Sequence, residues 1–128
     1  LLSGKSNEPW DKVYRNELIR SNNISFQTGV SLGEDLIFTL HFARYVKKAE
    51  LIPKILYCYR ILQTGLCQRK NDFQTLYWHN KLFCAMDTFI IDKKIDEETK
   101  YKSYAYMLQI VVENCIKIRF LVTISQSS

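Results

Sequence analysis

Along residues 1–60 the apolar positions come in short groups, separated by polar or glycine-containing stretches. Residues 1–9 read as a helix end followed by a loop. Val13, Tyr14, Leu18 and Ile19 recur at helical spacing and predict a short helix over 11–21, ended by Ser21-Asn22-Asn23. Ile24 to Phe26 fits a short strand, and 27–33, with Gly29 and Gly33, a loop. A strong helix starts at Glu34. Leu36, Ile37, Leu40, Ala43 or Phe42, and Val46 or Tyr45 mark its buried side, and Lys47-Lys48 suit its C-terminus. Glu50 to Ile52 and Lys54 to Ile61 read as strands on either side of Pro53, the second rich in residues that suit a pleated surface.

The rest of the chain is helical in pattern. After a polar loop over 63–70, Asn71 or Asp72 can cap a helix whose apolar side runs through Phe73, Leu76, Tyr77, Phe83 and Ile90. A turn at 92–95 leads to Asp96-Glu97-Glu98, an acidic start that complements the helix dipole. Tyr101, Tyr104, Leu108, Val111, Val112, Cys115 and Ile118 follow at three-and-four spacing. Two helices of about 20 residues joined by a short turn make an antiparallel hairpin. The expectation is a mostly α chain with a few short strands, ending in that hairpin.

Composition changes this picture little. With 128 residues, 47% hydrophobic and 24% charged, the chain can build one compact core and is not of disordered type. The 8 Tyr, 7 Phe and 2 Trp supply ample core material, and aromatic faces also suit sugar-binding clefts. A net charge of +5 favours anionic partners, but the basic residues are spread along the chain rather than gathered into a nucleic-acid-binding stripe. The cysteines at 58, 67, 84 and 115 form no Cys-x-x-Cys pair, and His41 and His79 do not complete a zinc site. Cys58, Cys84 and Cys115 lie in apolar surroundings and read as small core residues, which fits a reducing compartment. Asn23-Ile24-Ser25 matches a glycosylation sequon, a tripeptide too common to carry an argument. No apolar run approaches the ~18 residues of a membrane-spanning helix. Gly4-Lys5-Ser6 resembles the tail of a phosphate-binding loop, but Pro9 opposes the helix that such a loop needs. The start at Leu1 reads as a cut from something longer.

Chemistry concentrates between residues 9 and 60. Glu34-Asp35 sets two carboxylates at a helix start, where backbone N–H groups and the dipole favour ionisation. Activation of a sugar hydroxyl needs a carboxylate within hydrogen-bond reach, although an acidic first turn also stabilises any helix. Trp10 offers a face for a sugar ring or an anchor for its helix, and Lys12 a partner for a diphosphate or a solvated charge. Arg60, after Tyr59, suits a phosphate contact or a pairing with Glu34 or Asp35.

Taken in order, Pro-Trp-Asp-Lys-Val-Tyr-Arg-Asn-Glu-Leu-Ile (9–19), Phe26, Gly-Glu-Asp-Leu-Ile-Phe (33–38) and Ile-Leu-Tyr-Cys-Tyr-Arg (55–60) resemble the second half of bacterial family 2, GT-A-type glycosyltransferases. Asp11 stands where that pattern usually has Asn, and the chain after Ile61 carries no comparable likeness. The resemblance implies the C-terminal part of a GT-A α/β enzyme, with 1–61 the acceptor side of the catalytic domain and 62–128 a helical hairpin. It implies an inverting transfer from a nucleotide-sugar to a saccharide or lipid-linked acceptor. Asp35 is then the general base, and Glu34, Trp10, Lys12 and Arg60 are substrate contacts. The donor pocket and an Asp-x-Asp site for Mn or Mg are expected upstream of Leu1, so this chain alone is expected to be inactive and, with its cut face bare, to tend to oligomerise. A cytoplasmic setting is expected; Lys117 and Arg119 beside an apolar face permit peripheral docking on the inner membrane face, and packing of the hairpin's apolar stripe against the transferase body is the other reading. The competing expectation is a non-enzymatic helical module that binds a protein partner or an anionic membrane.

Overall fold

The computed structural model describes residues 8–58, 60 and 73–126, with 117–126 described as helical backbone. Among these residues a 3-10 turn at Pro9–Asp11 precedes four helices: α1 (Asn16–Ser21), α2 (Glu34–Ala43), α3 (Phe73–Lys93) and α4 (Glu97–Gln126). Among the described residues there is no strand. The mostly helical expectation holds, and the hairpin is α3 and α4.

Local chemistry fixes the ends. Asn23 takes a left-handed backbone (φ 50°), and the Ile24 N–H returns to the Ile19 carbonyl at 3.0 Å, which closes α1 with a Schellman motif. Lys94 (φ 50°) and the Ile95 N–H to the Ile90 carbonyl (3.1 Å) end α3 in the same way. One residue further on, the Asp96 carboxylate accepts the Thr99 N–H at 2.9 Å and caps α4. That contact pulls the Asp96 carboxyl below its usual range. Gly33, at φ 83°, precedes α2. A Cβ there would stand 3.1 Å from Leu82 Cδ2, so a side chain is opposed both by the backbone and by the neighbouring α3.

Helix α2 is the centre of the molecule. Leu36 to Leu40 are all buried, because α2 packs on two sides at once. Toward α3 and α4, Leu36, Ile37 and Leu40 join Val30, Trp78, Leu82, Ala85, Met86, Phe89 and Met107. Toward the N-terminal segment, Phe38 and Phe42 join Ile24, with Tyr14, Leu18, Ile19 and Val46 alongside. Tyr14 meets Phe38 and Phe42 edge-on at 5.3 and 4.8 Å, and Phe26 stacks on Phe38 at 4.4 Å. The first core takes residues from both sides of position 61. Arg44 binds Asp92 at 2.5 Å and ties the end of α2 to that of α3.

Several expectations are corrected. The first helix begins at Asn16, and residues 12–15 are not helical, so the helical spacing did not extend to Val13, which is 88% exposed. Ile24 belongs to the turn that ends α1, not to a strand. The segment 50–58 is not a strand. Leu51 and Ile55 are 90% and 93% exposed, and among the described residues there is no neighbouring strand whose ladder they could join. Cys58, Cys84 and Cys115 are exposed thiols rather than core residues. Tyr59, the loop at 63–70, Cys67, the caps at Asn71 and Asp72, and the side chains of Lys117, Ile118 and Arg119 lie outside the described residues.

The largest correction concerns which faces of α3 and α4 point inward. The inward row of α3 is Thr75, Trp78, His79, Leu82, Ala85, Met86, Phe89 and Ile90, whereas Phe73, Tyr77 and Phe83 are exposed. In α4, Ser103, Met107 and Asn114 are buried, while Tyr101, Leu108, Val112 and Ile116 face outward. The buried polar residues are satisfied, Ser103 locally, where its hydroxyl donates to the Thr99 carbonyl at 2.7 Å, and Asn114 across the helix pair. No helix among the described residues is long and apolar enough to cross a membrane.

Adjacent positions 107 and 108 separate the two faces of α4. Met107→Ala is expected to cost about 2–5 kcal/mol in urea unfolding. Leu108→Ala is expected to stay within about 0.5 kcal/mol of the parent.

Candidate functional site

The N-terminus of α2, the inward row of α3 and the middle of α4 enclose a cleft of ≈ 390 Å³. Glu8, Leu32, Gly33, Asp35 and Leu36 line one side, His79 and Leu82 the second, and Tyr106, Met107, Ile110 and Asn114 the third. Its size suits a small molecule, and its wall is mostly apolar with a few polar groups.

Asp35 is the second residue of α2, where acidic side chains complement the dipole. Its backbone carbonyl accepts the Thr39 hydroxyl at 2.8 Å, and that hydroxyl meets Tyr14 Oη at 3.3 Å. The Asp35 carboxyl is pushed above its ordinary value of 3.8, first by burial and then by the charges of Glu34 and Glu8. Burial also pushes the Tyr14 phenol up.

The polar part of the cleft wall is a hydrogen-bonded pair. Asn114 Nδ2 donates to His79 Nε2 at 3.2 Å, so the ring proton sits on Nδ1, which donates to the Thr75 carbonyl at 2.7 Å. Both side chains are buried, at 6% and 9% exposure. One contact therefore joins α3 to α4 at the cleft.

The other sequence candidates are distributed around this site rather than gathered in it. Trp10 lies on the 3-10 turn, which packs on α2, and stacks against Tyr57 with ring centroids 5.1 Å apart. Lys12 is engaged locally: its ammonium donates to the Glu8 carbonyl at 2.6 Å and pairs with Asp11. The Asp at position 11 thus holds its neighbouring lysine. Glu34 bears on Asp35 through its charge. Arg60 is exposed, and neither the cleft lining nor any ion pair among the described residues includes it.

Glu8, His79, Tyr106 and Asn114 were not singled out as site residues from the sequence. No motif connects them, since they come from three separate stretches, the segment before the 3-10 turn, α3 and α4, that only tertiary packing brings together. No group of three or more His, Cys, Asp or Glu among the described residues is arranged to hold a metal ion. The described residues of this chain therefore do not form a metal site. No protein-family model, curated protein or solved structure matches the chain. Any family assignment rests on the ordered segments between Pro9 and Arg60.

The raised Asp35 carboxyl sets a pH dependence of stability. The folded state holds this proton more tightly than the unfolded chain does, so stability falls as pH rises from 3.8 through the raised folded value. Asp35→Asn removes that cost. In thermal unfolding, the variant is expected to gain on the parent between about pH 3 and about pH 7. A difference in Tm that does not change with pH contradicts the assignment.

Proposed function

We propose that this chain is the acceptor-side, C-terminal part of a GT-A-type glycosyltransferase in which Asp35 is the general base. The observation that carries the reading is Asp35 itself. It opens a helix within the Gly-Glu-Asp-Leu-Ile-Phe segment, lines a cleft of small-molecule size, and has its carboxyl raised by burial and by Glu34 and Glu8. A carboxylate of raised basicity takes a proton more readily from a hydroxyl at neutral pH.

In the proposed reaction an Asp35 carboxylate oxygen removes the proton of an acceptor hydroxyl. The acceptor oxygen attacks the anomeric carbon of the donor sugar as the bond to the nucleotide diphosphate breaks. A single displacement inverts that carbon, and the proton on Asp35 passes to solvent. Donor binding and the divalent metal that screens the diphosphate are assigned to residues outside this chain. Glu34 and Glu8 keep Asp35 basic, and the stack of Trp10 on Tyr57 supplies an aromatic face beside the same turn. Lys12 and Arg60 enter as outer contacts, Lys12 after release from Asp11. On this reading the enzyme works in the cytoplasm, peripheral to the membrane.

The test is nucleotide release by the complete protein that contains this chain, across a panel of nucleotide-sugars with manganese. Asp35→Asn is expected to lower kcat by at least about a hundredfold while leaving donor binding intact. Turnover unchanged by Asp35→Asn removes Asp35 from the mechanism.

A further inference from the structure

One wall of the cleft comes from α4, in the part of the chain that carries none of the likeness found between residues 9 and 60. Tyr106, Met107, Ile110 and Asn114 stand at helix positions that share one face. That face is fixed in place: Met107 is almost fully buried, and Asn114 donates to His79 on α3. A molecule that enters the cleft beside Asp35 therefore meets α4 as well.

The polar groups of the wall fall into two sets. His79 and Asn114 are turned on each other and on the Thr75 carbonyl. The Asp35 and Glu8 carboxylates and the Tyr106 hydroxyl make no hydrogen bond with any described residue. Tyr106 is the telling member, because it is half-buried. The other half-buried tyrosines that bracket the core find partners within the chain: Tyr14 meets the Thr39 hydroxyl, and Tyr104 donates to Asp87. Tyr106 instead presents a donor to the same space into which Asp35 presents an acceptor. A hydroxyl group can donate to a carboxylate and accept from a phenol, so two hydroxyls of one small ring satisfy Asp35 and Tyr106 together. The C–H face of such a ring covers Leu82, Met107 and Ile110.

We infer that Tyr106 is the residue by which α4 selects the acceptor: its phenol donates a hydrogen bond to a second ring hydroxyl of the molecule whose reacting hydroxyl meets Asp35. The word acceptor rests on the transferase reading, whereas the contact with Tyr106 rests on the cleft.

The test is binding without any donor. The methyl glycosides of glucose, galactose and mannose are titrated into the 128-residue chain and into Tyr106→Phe, followed by methyl-resolved NMR. The substitution removes one oxygen and keeps the ring, so the cleft keeps its shape. In the parent, at least one glycoside is expected to shift the methyl groups of Leu82, Met107 and Ile110 saturably. Tyr106→Phe is expected to weaken that glycoside about fivefold, the loss that follows from one hydrogen bond. One deoxy analogue of the same glycoside is expected to bind the parent about fivefold more weakly, yet to bind Tyr106→Phe as well as the intact glycoside does, because the two deletions remove opposite ends of one bond. Equal binding of the intact glycoside by parent and variant overturns the inference. So does the absence of any saturable shift, or a loss of the same size in both proteins for every deoxy analogue. None of these failures touches nucleotide release by the complete protein or its dependence on Asp35. Conversely, a glycoside held through Tyr106 in a protein that releases no nucleotide retires the transferase reading and keeps Tyr106 as the ligand contact.

Discussion

Thr75, His79 and Asn114 form a short buried relay: backbone carbonyl, imidazole, amide. Its energy is modest when made and large when broken, because a buried donor or acceptor left without a partner costs about 1–3 kcal/mol. Rotation of α4 by one residue would turn Asn114 away from His79 and bring Cys115 inward. It would also replace Met107 by Leu108, which taken alone is a neutral exchange of one apolar side chain for another. Apolar burial cannot choose between those faces. The polar relay can, and the orientation of α4 and the wall of the cleft follow from it.

This is why the sequence revealed the helices and not their faces. Leu36-Ile37-Phe38-Thr39-Leu40 reads plainly as a buried helix, because α2 has partners on two sides and no wrong face to offer. The turn from Asn23 to Ile24 and the cap at Asp96 follow from residue types that favour those conformations. Helices α3 and α4 are different. Each carries apolar residues around much of its circumference, so exposed aromatics such as Phe73, Tyr77 and Phe83 in α3, and the Tyr101, Leu108 and Val112 row in α4, competed in the pattern with the rows that pack. Ser103 and Asn114 look like surface residues until their hydrogen bonds are seen. The run from Leu51 to Tyr57 has the composition of a strand, yet composition cannot supply the neighbouring strand that pairing requires. The candidate site divides similarly. Asp35 was legible from its place at a helix start and from the segments around it. Glu8, His79, Tyr106 and Asn114 were not, because their proximity is made by packing alone.

The two halves of the account meet at the start of α2. Gly33 lets the chain enter the helix against Leu82, and of the two carboxylates that follow it Asp35 lines the mostly apolar cleft. That arrangement costs stability, since burial and neighbouring negative charge both oppose ionisation of Asp35. A helix start needs no such arrangement, and a base that must take a proton from a hydroxyl benefits from it. The residues that keep α4 in register, His79 and Asn114, also line the cleft.

The most direct measurement is nitrogen NMR of the His79 ring at neutral pH. The account predicts that the ring proton is on Nδ1 and slow to exchange, with Nε2 a bare acceptor for the Asn114 amide. A ring proton on Nε2 alone would contradict it, because Nδ1 would then turn a lone pair on the Thr75 carbonyl oxygen at 2.7 Å and the relay through His79 would be broken.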